Sequence, residues 1–390
     1  MKREEFRDCA HAVADWMADY VEGVEELPVM PQTSPGEVSD QLPAEAPESG
    51  EAFEALMKDF RELIVPHMTH WNHPRFFGYF PANTSPPSIL AEMLTAAMGA
   101  QCMSWQTSPA ATELEGRVME WLRRLLALPQ GWTGVIQDTA STSTLTALLC
   151  ARERATGWGV YERGAGAKGA QDLRVYTSQE AHSSVDKGVI LAGYGRENLR
   201  RIATDENFAL DPCALEAAVQ KDIEAGLCPA AVVATLGTTG STAIDPLPAI
   251  GKICERHGIW LHVDAALAGT AALLEEKRGL FSGLEQADSF VFNPHKWLFT
   301  NFDCSAYYVK DPQPLLRTMS TDPEYLKTTH DAQVDNYRDW GVPLGRRFRA
   351  LKLWFVLRSY GREGLQARVR RHLELASGFA EWVRESQDWE

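Results

Sequence analysis

Residues Glu4–Glu25 and Glu51–Ile64 carry apolar side chains at the three- and four-residue intervals of amphipathic helices. Between them, Pro28–Gly50 is rich in Pro, Glu and Ser and reads as an extended connector. Two helices joined by a strap bury too little surface to fold alone, so they are expected to pack on another subunit or on the main domain. From about Ser85 the pattern changes to short apolar runs of strand length alternating with amphipathic helices. Strands are predicted at Leu173–Thr177, Ala230–Leu236, Ile259–Val263, Ser289–Phe292 and Ser305–Val309. Helices are predicted at Thr112–Leu128, Leu145–Ala155, Ser183–Leu191 and Leu247–His257. This alternation predicts an α/β fold with a mainly parallel central sheet flanked by helices on both faces. Beyond Gly345, Arg346–Tyr360 and Gly364–Glu385 read as two long helices with no strand pattern after them. The expected division is an N-terminal helical segment (1–84), a large α/β domain (85–345) and the start of a small, incomplete C-terminal domain (346–390).

Composition narrows the function without naming it. A chain of 390 residues with 45% hydrophobic content can bury a large core. With 53 acidic against 38 basic residues, its net charge of −15 repels nucleic acid and anionic membrane surfaces, and no basic run reverses this locally. The N-terminus lacks the apolar core of a signal peptide, and no run of about 18 apolar residues occurs. No nucleic-acid or membrane partner is therefore expected, and a cytoplasmic location is the default. The 7 cysteines are scattered without a C-x-x-C pair, as expected of buried reduced thiols. His67, His70 and His73 are spaced by three, but the run crosses a Trp-Asn turn into Pro74 and is expected to form pocket wall, with no metal.

The candidate chemistry sits where predicted strands end, which is where α/β folds collect ligands. Asp264 follows Ile259–Val263 and precedes Ala265 and Ala266, residues small enough for a flat ring to lie against the backbone. A carboxylate there is placed to pair with a protonated ring nitrogen. Lys296 follows Ser289–Phe292, and its apolar and aromatic neighbours disfavour the ammonium and expose a nucleophilic amine. The run Gln137–Thr144 brings small hydroxyl residues and free N–H groups to a helix start, a cup for phosphate. His182 follows Leu173–Thr177, where an imidazole can stack on a ring and pass protons near neutral pH. Gly237–Gly240 forms a glycine-bounded turn with Asp245 beyond it, and the polar stretch Thr318–Tyr337 is expected to close over a site. Singly, each feature has an ordinary structural reading: a solvated lysine, a capped helix, a satisfied histidine. Their combination is what points to one site.

These residues also carry a resemblance. Thr69–Pro81, Ser104–Glu115, Ala181–Ser184, Ala234–Thr239, Leu261–Ala266, Ala287–Trp297 and Pro343–Phe355 resemble, in order, the group II pyridoxal-phosphate decarboxylases, within them the aromatic-L-amino-acid decarboxylases. The resemblance implies the aspartate aminotransferase-like fold (type I) of pyridoxal 5′-phosphate (PLP) enzymes and a homodimer with exchanged N-terminal helices. It implies that Lys296 holds the cofactor covalently, Asp264 pairs with its ring nitrogen and His182 stacks on the ring. Thr139, Ala140, Ser141 and Asn293 would hold the phosphate, with Thr239 and Ala266 beside the ring. Asp138 and Thr142 depart from the pattern, standing where relatives often carry glycine and glutamate. Tyr325 matches the loop tyrosine that protonates the substrate carbon after carbon dioxide leaves. Trp71, Tyr79, Phe80 and Pro81 match the substrate pocket. Ala82 stands where catechol-using relatives often carry threonine, and Gln101 and Met103 replace bulkier apolar residues.

The implied activity is decarboxylation of an aromatic L-amino acid (tryptophan, phenylalanine, tyrosine or DOPA) to the amine. Members that make an aldehyde and peroxide instead differ at the loop tyrosine or the stacking histidine, so Tyr325 and His182 favour the amine. Aromatic acetaldehyde synthesis is the alternative, followed by decarboxylation of histidine or glutamate. A non-catalytic fragment that retains the cofactor residues is the competing class, against which intact Lys296, Asp264, His182 and Tyr325 weigh.

Overall fold

The computed structural model describes residues 1–321 and 333–389. The chain forms two compact units, Met1–Ala82 and Asn83–Glu390. The first contains α1 (Arg3–Gly23) and α2 (Phe53–Asp59), the latter continuing as a single π turn over Phe60–Ile64. Glu4 and Glu5 in the first turn of α1 complement its dipole. Trp16 stacks on Tyr20 at 5.2 Å and meets Phe60 edge-on at 4.8 Å, joining the helices. No residue of α1 is buried.

In the second unit the order is α3 (Pro86–Met98), α4 (Pro109–Leu125), β1 (Thr133–Gln137), α5 (Ala140–Ala155), α6 (Gly159–Arg163), β2 (Leu173–Ser178) and α7 (Ser184–Leu191). There follow β3 (Leu199–Ile202), α8 (Pro212–Glu224), β4 (Cys228–Thr235), α9 (Leu247–His257), β5 (Trp260–Asp264), β6 (Ser289–Phe292) and α10 (Pro294–Trp297). The last elements are β7 (Ser305–Val309), α11 (Gln313–Met319) and α12 (Arg349–Glu385). The strands form one sheet in the order β1-β7-β6-β5-β4-β2-β3, parallel except for β7, which is antiparallel to both neighbours.

Both faces of the sheet are buried, which explains the continuous apolar strands. Along β5, Leu261 and Val263 enter the core shared with α4, α8, α9 and α12, while Trp260 enters the core of α5 and α7. Leu353, Val356, Leu357, Leu365 and Val369 of α12 belong to the first of these cores, so residues 346–390 fall within the second unit. Gly361 interrupts α12 with φ 61° and ψ 176°, dividing it into the two helices that the periodicity predicts.

Three differences from the predicted elements have local causes. Helix α5 starts at Ala140, not Leu145, because Thr139 is extended and its Oγ1 accepts the Thr142 N–H at 3.3 Å. The hydroxyl residues of the first turn carry no apolar period. Strand β3, unpredicted, is an edge strand with Arg200 and Arg201 at its centre. Strand β1, also unpredicted, packs its Gly134 against Met119 and Tyr308 so closely that a Cβ there would lie 2.5 Å from Met119. Among the described residues, no helix is long and apolar enough to cross a membrane.

Candidate active site

Strands β1, β2, β4, β5 and β6 end at one edge of the sheet, and antiparallel β7 begins there. The predicted residues follow these ends: Thr139, Ala140 and Ser141 after β1, His182 after β2 and Thr239 after β4. Asp264 and Ala266 lie at the end of β5, and Asn293 and Lys296 follow β6. Residues separated by more than 150 positions thus reach one edge of a single sheet.

Asp264 is buried, and its Oδ1 accepts the Ala266 N–H at 3.0 Å. Burial pushes its carboxyl above the ordinary range, while the Ala266 N–H and the charges of Lys296 and His182 hold it down. Burial likewise pushes the Lys296 amine below its ordinary value, opposed by Asp264. A buried carboxylate and a desolvated amine that feel one another are suited to a cationic ring nitrogen and a carbonyl carbon. His182 lies on the exposed loop after β2, where Nδ1 accepts the Ser184 N–H at 3.1 Å. In the neutral ring the proton is therefore on Nε2.

The start of α5 has the donors a phosphate needs. The Thr139 N–H is taken by Asp138 Oδ1 at 2.7 Å and the Thr142 N–H by Thr139 Oγ1. The Ser143 N–H bonds the Thr139 carbonyl at 3.1 Å. Among the described residues, the first-turn N–H groups of Ala140 and Ser141 have no acceptor within the helix. Asn293 is buried and accepts the Ser305 hydroxyl on Oδ1 at 2.7 Å, which leaves Nδ2 as its donor end. The two amides, the Asn293 donor, the carboxylate and the amine form a set that fits PLP at the phosphate, the ring nitrogen and the aldehyde carbon.

The turn after β4 is braced from beneath. Buried Asp245 accepts the Leu210 N–H at 2.8 Å and the Thr235 N–H at 2.7 Å, and burial raises its pKa to about 6. Gly237 has φ +84°, and a Cβ there would lie 2.8 Å from that of Ala268, so the close approach requires glycine. Thr239 at the tip is exposed.

Gln101 and Met103 hold the segment that precedes α12. Gln101 Oε1 accepts the Arg346 N–H at 2.7 Å, and the Met103 carbonyl accepts the Arg338 N–H at 2.8 Å. Trp71, Tyr79, Phe80, Pro81 and Ala82 belong to the first unit, where Trp71 stacks on Tyr79 at 5.8 Å. The three histidines there have separate partners. His67 Nδ1 donates to the Leu63 carbonyl at 2.6 Å, His70 Nδ1 meets the Tyr20 hydroxyl at 2.8 Å, and His73 Nε2 donates to the Glu25 carbonyl at 3.2 Å. Tyr325 lies outside the described residues.

Sequence reasoning missed Ser305, and it read Ser143 only as part of the hydroxyl-rich run Gln137–Thr144; their hydroxyls lie 3.5 Å apart and connect Asn293 to α5. No periodicity marks this pairing. It also missed the buried His262, although its position two residues before Asp264 on a strand puts both side chains on one face.

The pyridoxal-dependent decarboxylase conserved domain matches residues 35–390. Phenylacetaldehyde synthase of Arabidopsis thaliana is 44% identical over all of this chain and 80% of its own length. Aromatic-L-amino-acid decarboxylase of Mus musculus is 44% identical over all of this chain and 83% of its own. A crystal structure of Oryza sativa TDC with PLP and tryptamine superposes with a TM-score of 0.94 at 39% identity, covering 99% of this chain and 80% of that one. The chain therefore belongs to the pyridoxal-dependent decarboxylase family, carboxy-lyases that work through PLP.

Proposed function

We propose that this protein converts an aromatic L-amino acid, drawn from tryptophan, phenylalanine, tyrosine and DOPA, to its amine and carbon dioxide. The observation that carries the reading is the electrostatically coupled pair of Asp264, which ends β5, and Lys296, on α10 directly after the adjacent parallel strand β6. The aromatic substrates of the relatives supply the substrate class. PLP, when bound, supplies a ring that takes up the electron pair released as carbon dioxide departs. Lys296 would hold the cofactor covalently, its desolvated amine serving as the point of attachment. Asp264 keeps a proton on the ring nitrogen, and burial makes that ion pair stronger than it would be in water. Thr139, Ala140, Ser141 and Asn293 anchor the phosphate, Thr239 and Ala266 border the ring, and His182 covers it. Tyr325 is assigned the delivery of a proton to the substrate α-carbon, and the Nε2–H of His182 is assigned as a second donor to that carbon. Trp71, Tyr79, Phe80, Pro81, Ala82, Gln101 and Met103 are assigned to substrate recognition.

The absence of any buried residue in α1 supports a homodimer in which the N-terminal helices are exchanged. A cytoplasmic location accords with the acidic, patch-free composition. The test is an amine-release assay across tryptophan, phenylalanine, tyrosine, DOPA, histidine and glutamate. Aromatic substrates are expected to dominate, and activity on glutamate alone would overturn the proposal.

A further inference from the structure

The imidazole of His262 takes no part in the chemistry above, yet it is built into the site's frame. His262 is 1% exposed, and its neighbours Thr144, Ser289 and Trp260 are 0%, 0% and 2% exposed. In the parallel register of β5 and β6 it lies directly opposite Ser289. Its Nδ1 is 2.9 Å from Ser289 Oγ, which also accepts the Trp260 indole N–H at 3.0 Å. Its Nε2 is 3.3 Å from Thr144 Oγ1. Burial pushes the ring down to about 3, so it is neutral throughout the working pH range. Whichever nitrogen carries the proton, a neutral imidazole donates to one hydroxyl and accepts from the other. Both links therefore form at once.

The three elements joined in this way bear the three ends of the site. Thr144 is on α5, five positions beyond the cap Thr139. His262 is on β5, two residues before Asp264. Ser289 opens β6, which leads to Asn293 and Lys296. We propose that His262 is a positioning residue that fixes the span from the phosphate-binding start of α5 to the Asp264 carboxylate, so that PLP is held at both ends simultaneously. This rests on the placement of the phosphate at Thr139–Ser141 given above. A ligand that reaches only one end should be indifferent to the span.

The experiment compares the Kd of PLP with that of pyridoxal, which lacks the phosphate, on cofactor-depleted full chain. The variants are His262→Leu, His262→Gln and Thr144→Val, and thermal unfolding without cofactor is followed in parallel. His262→Leu is expected to weaken PLP by about tenfold and pyridoxal by less than about twofold. His262→Gln, which keeps a donor and an acceptor, should recover most of the PLP affinity. Thr144→Val, which removes one link and retains the shape, should weaken PLP by about threefold and carries the test if His262→Leu does not fold. Equal weakening of both ligands, or no weakening of PLP, overturns the proposal. Ser141→Asp separates this outcome from failure of the site reading. If the added charge leaves PLP affinity unchanged, the phosphate does not bind at α5. If it weakens PLP while His262→Leu does not, only the role of His262 falls.

Discussion

Ser305 at the start of antiparallel β7 donates its hydroxyl to Oδ1 of Asn293 over 2.7 Å, fixing which end of that buried amide can donate. Ser305→Ala removes this constraint without touching the cofactor residues. PLP affinity is expected to fall by about fivefold, the worth of one buried hydrogen bond, with kcat nearly unchanged at saturating cofactor. A PLP titration followed by fluorescence measures it, and unchanged affinity would show that the bond has no orienting role.

Lys296→Ala and Asp264→Asn separate attachment from activation. The first should leave no cofactor on the protein after borohydride reduction. The second should keep the attached cofactor but lower kcat by about 100-fold or more, since a neutral amide in place of a buried charge forfeits about 3 kcal/mol of pairing with the ring nitrogen. Mass spectrometry of the reduced protein and steady-state kinetics distinguish the two.

The product is decided by hydrogen peroxide released per carbon dioxide. The parent enzyme is expected to give a ratio near zero. Tyr325→Phe is expected to slow amine formation by about 100-fold, the usual worth of a positioned acid, and to raise that ratio. Near-stoichiometric peroxide from the parent would exchange the amine-forming reading for aldehyde synthesis.

Acid stability should depend on two buried imidazoles. Burial holds His262 at about 3 and His295 at about 4, against an ordinary 6.5. Between each depressed value and 6.5 the unfolded chain binds a proton that the folded chain does not, so unfolding free energy rises with pH across that window. The contribution is complete above 6.5 and is lost as pH falls towards 3 for His262 and 4 for His295. Replacing His295 with Asn should make the acid limb of a stability-versus-pH curve shallower by about one proton. An unaltered slope would mean that His295 is solvated.

Arg346 and Glu115 form a buried ion pair at 2.7 Å, and the same guanidinium donates to the Ile136 carbonyl at 2.6 Å. Glu115 in turn accepts the Ile136 N–H at 2.9 Å, so the pair ties the start of α12 to β1 through α4. Arg346→Met strands a buried carboxylate and should destabilise the cofactor-free protein by about 3 to 5 kcal/mol in denaturant unfolding. A loss below about 1 kcal/mol would indicate a solvated pair.

Much of the site was legible because its chemistry is local. Lys296 and Asp264 follow strongly apolar runs, and those runs are strands β6 and β5, with Ser289–Phe292 and Ser305–Val309 predicted at their observed bounds. Likewise Leu247–His257 has the helical bounds that its period predicts. The start of α5 was less legible, since capping by Thr139 depends on a side-chain hydrogen bond that hydrophobic spacing does not record. Edge strand β3 was hidden for a related reason: its partner on one side only lets arginines occupy its centre.

The sequence by itself determined the alternation of strands and helices and the family, and it singled out the residues proposed to hold PLP. Each of these depends on the order of side chains along a short segment. Only the tertiary structure decided that antiparallel β7 brings Ser305 to Asn293, and that α5, β5 and β6 meet at the imidazole of His262. Those contacts join residues 12 to 118 positions apart. Such pairs are set by strand order and register, which no local spacing encodes.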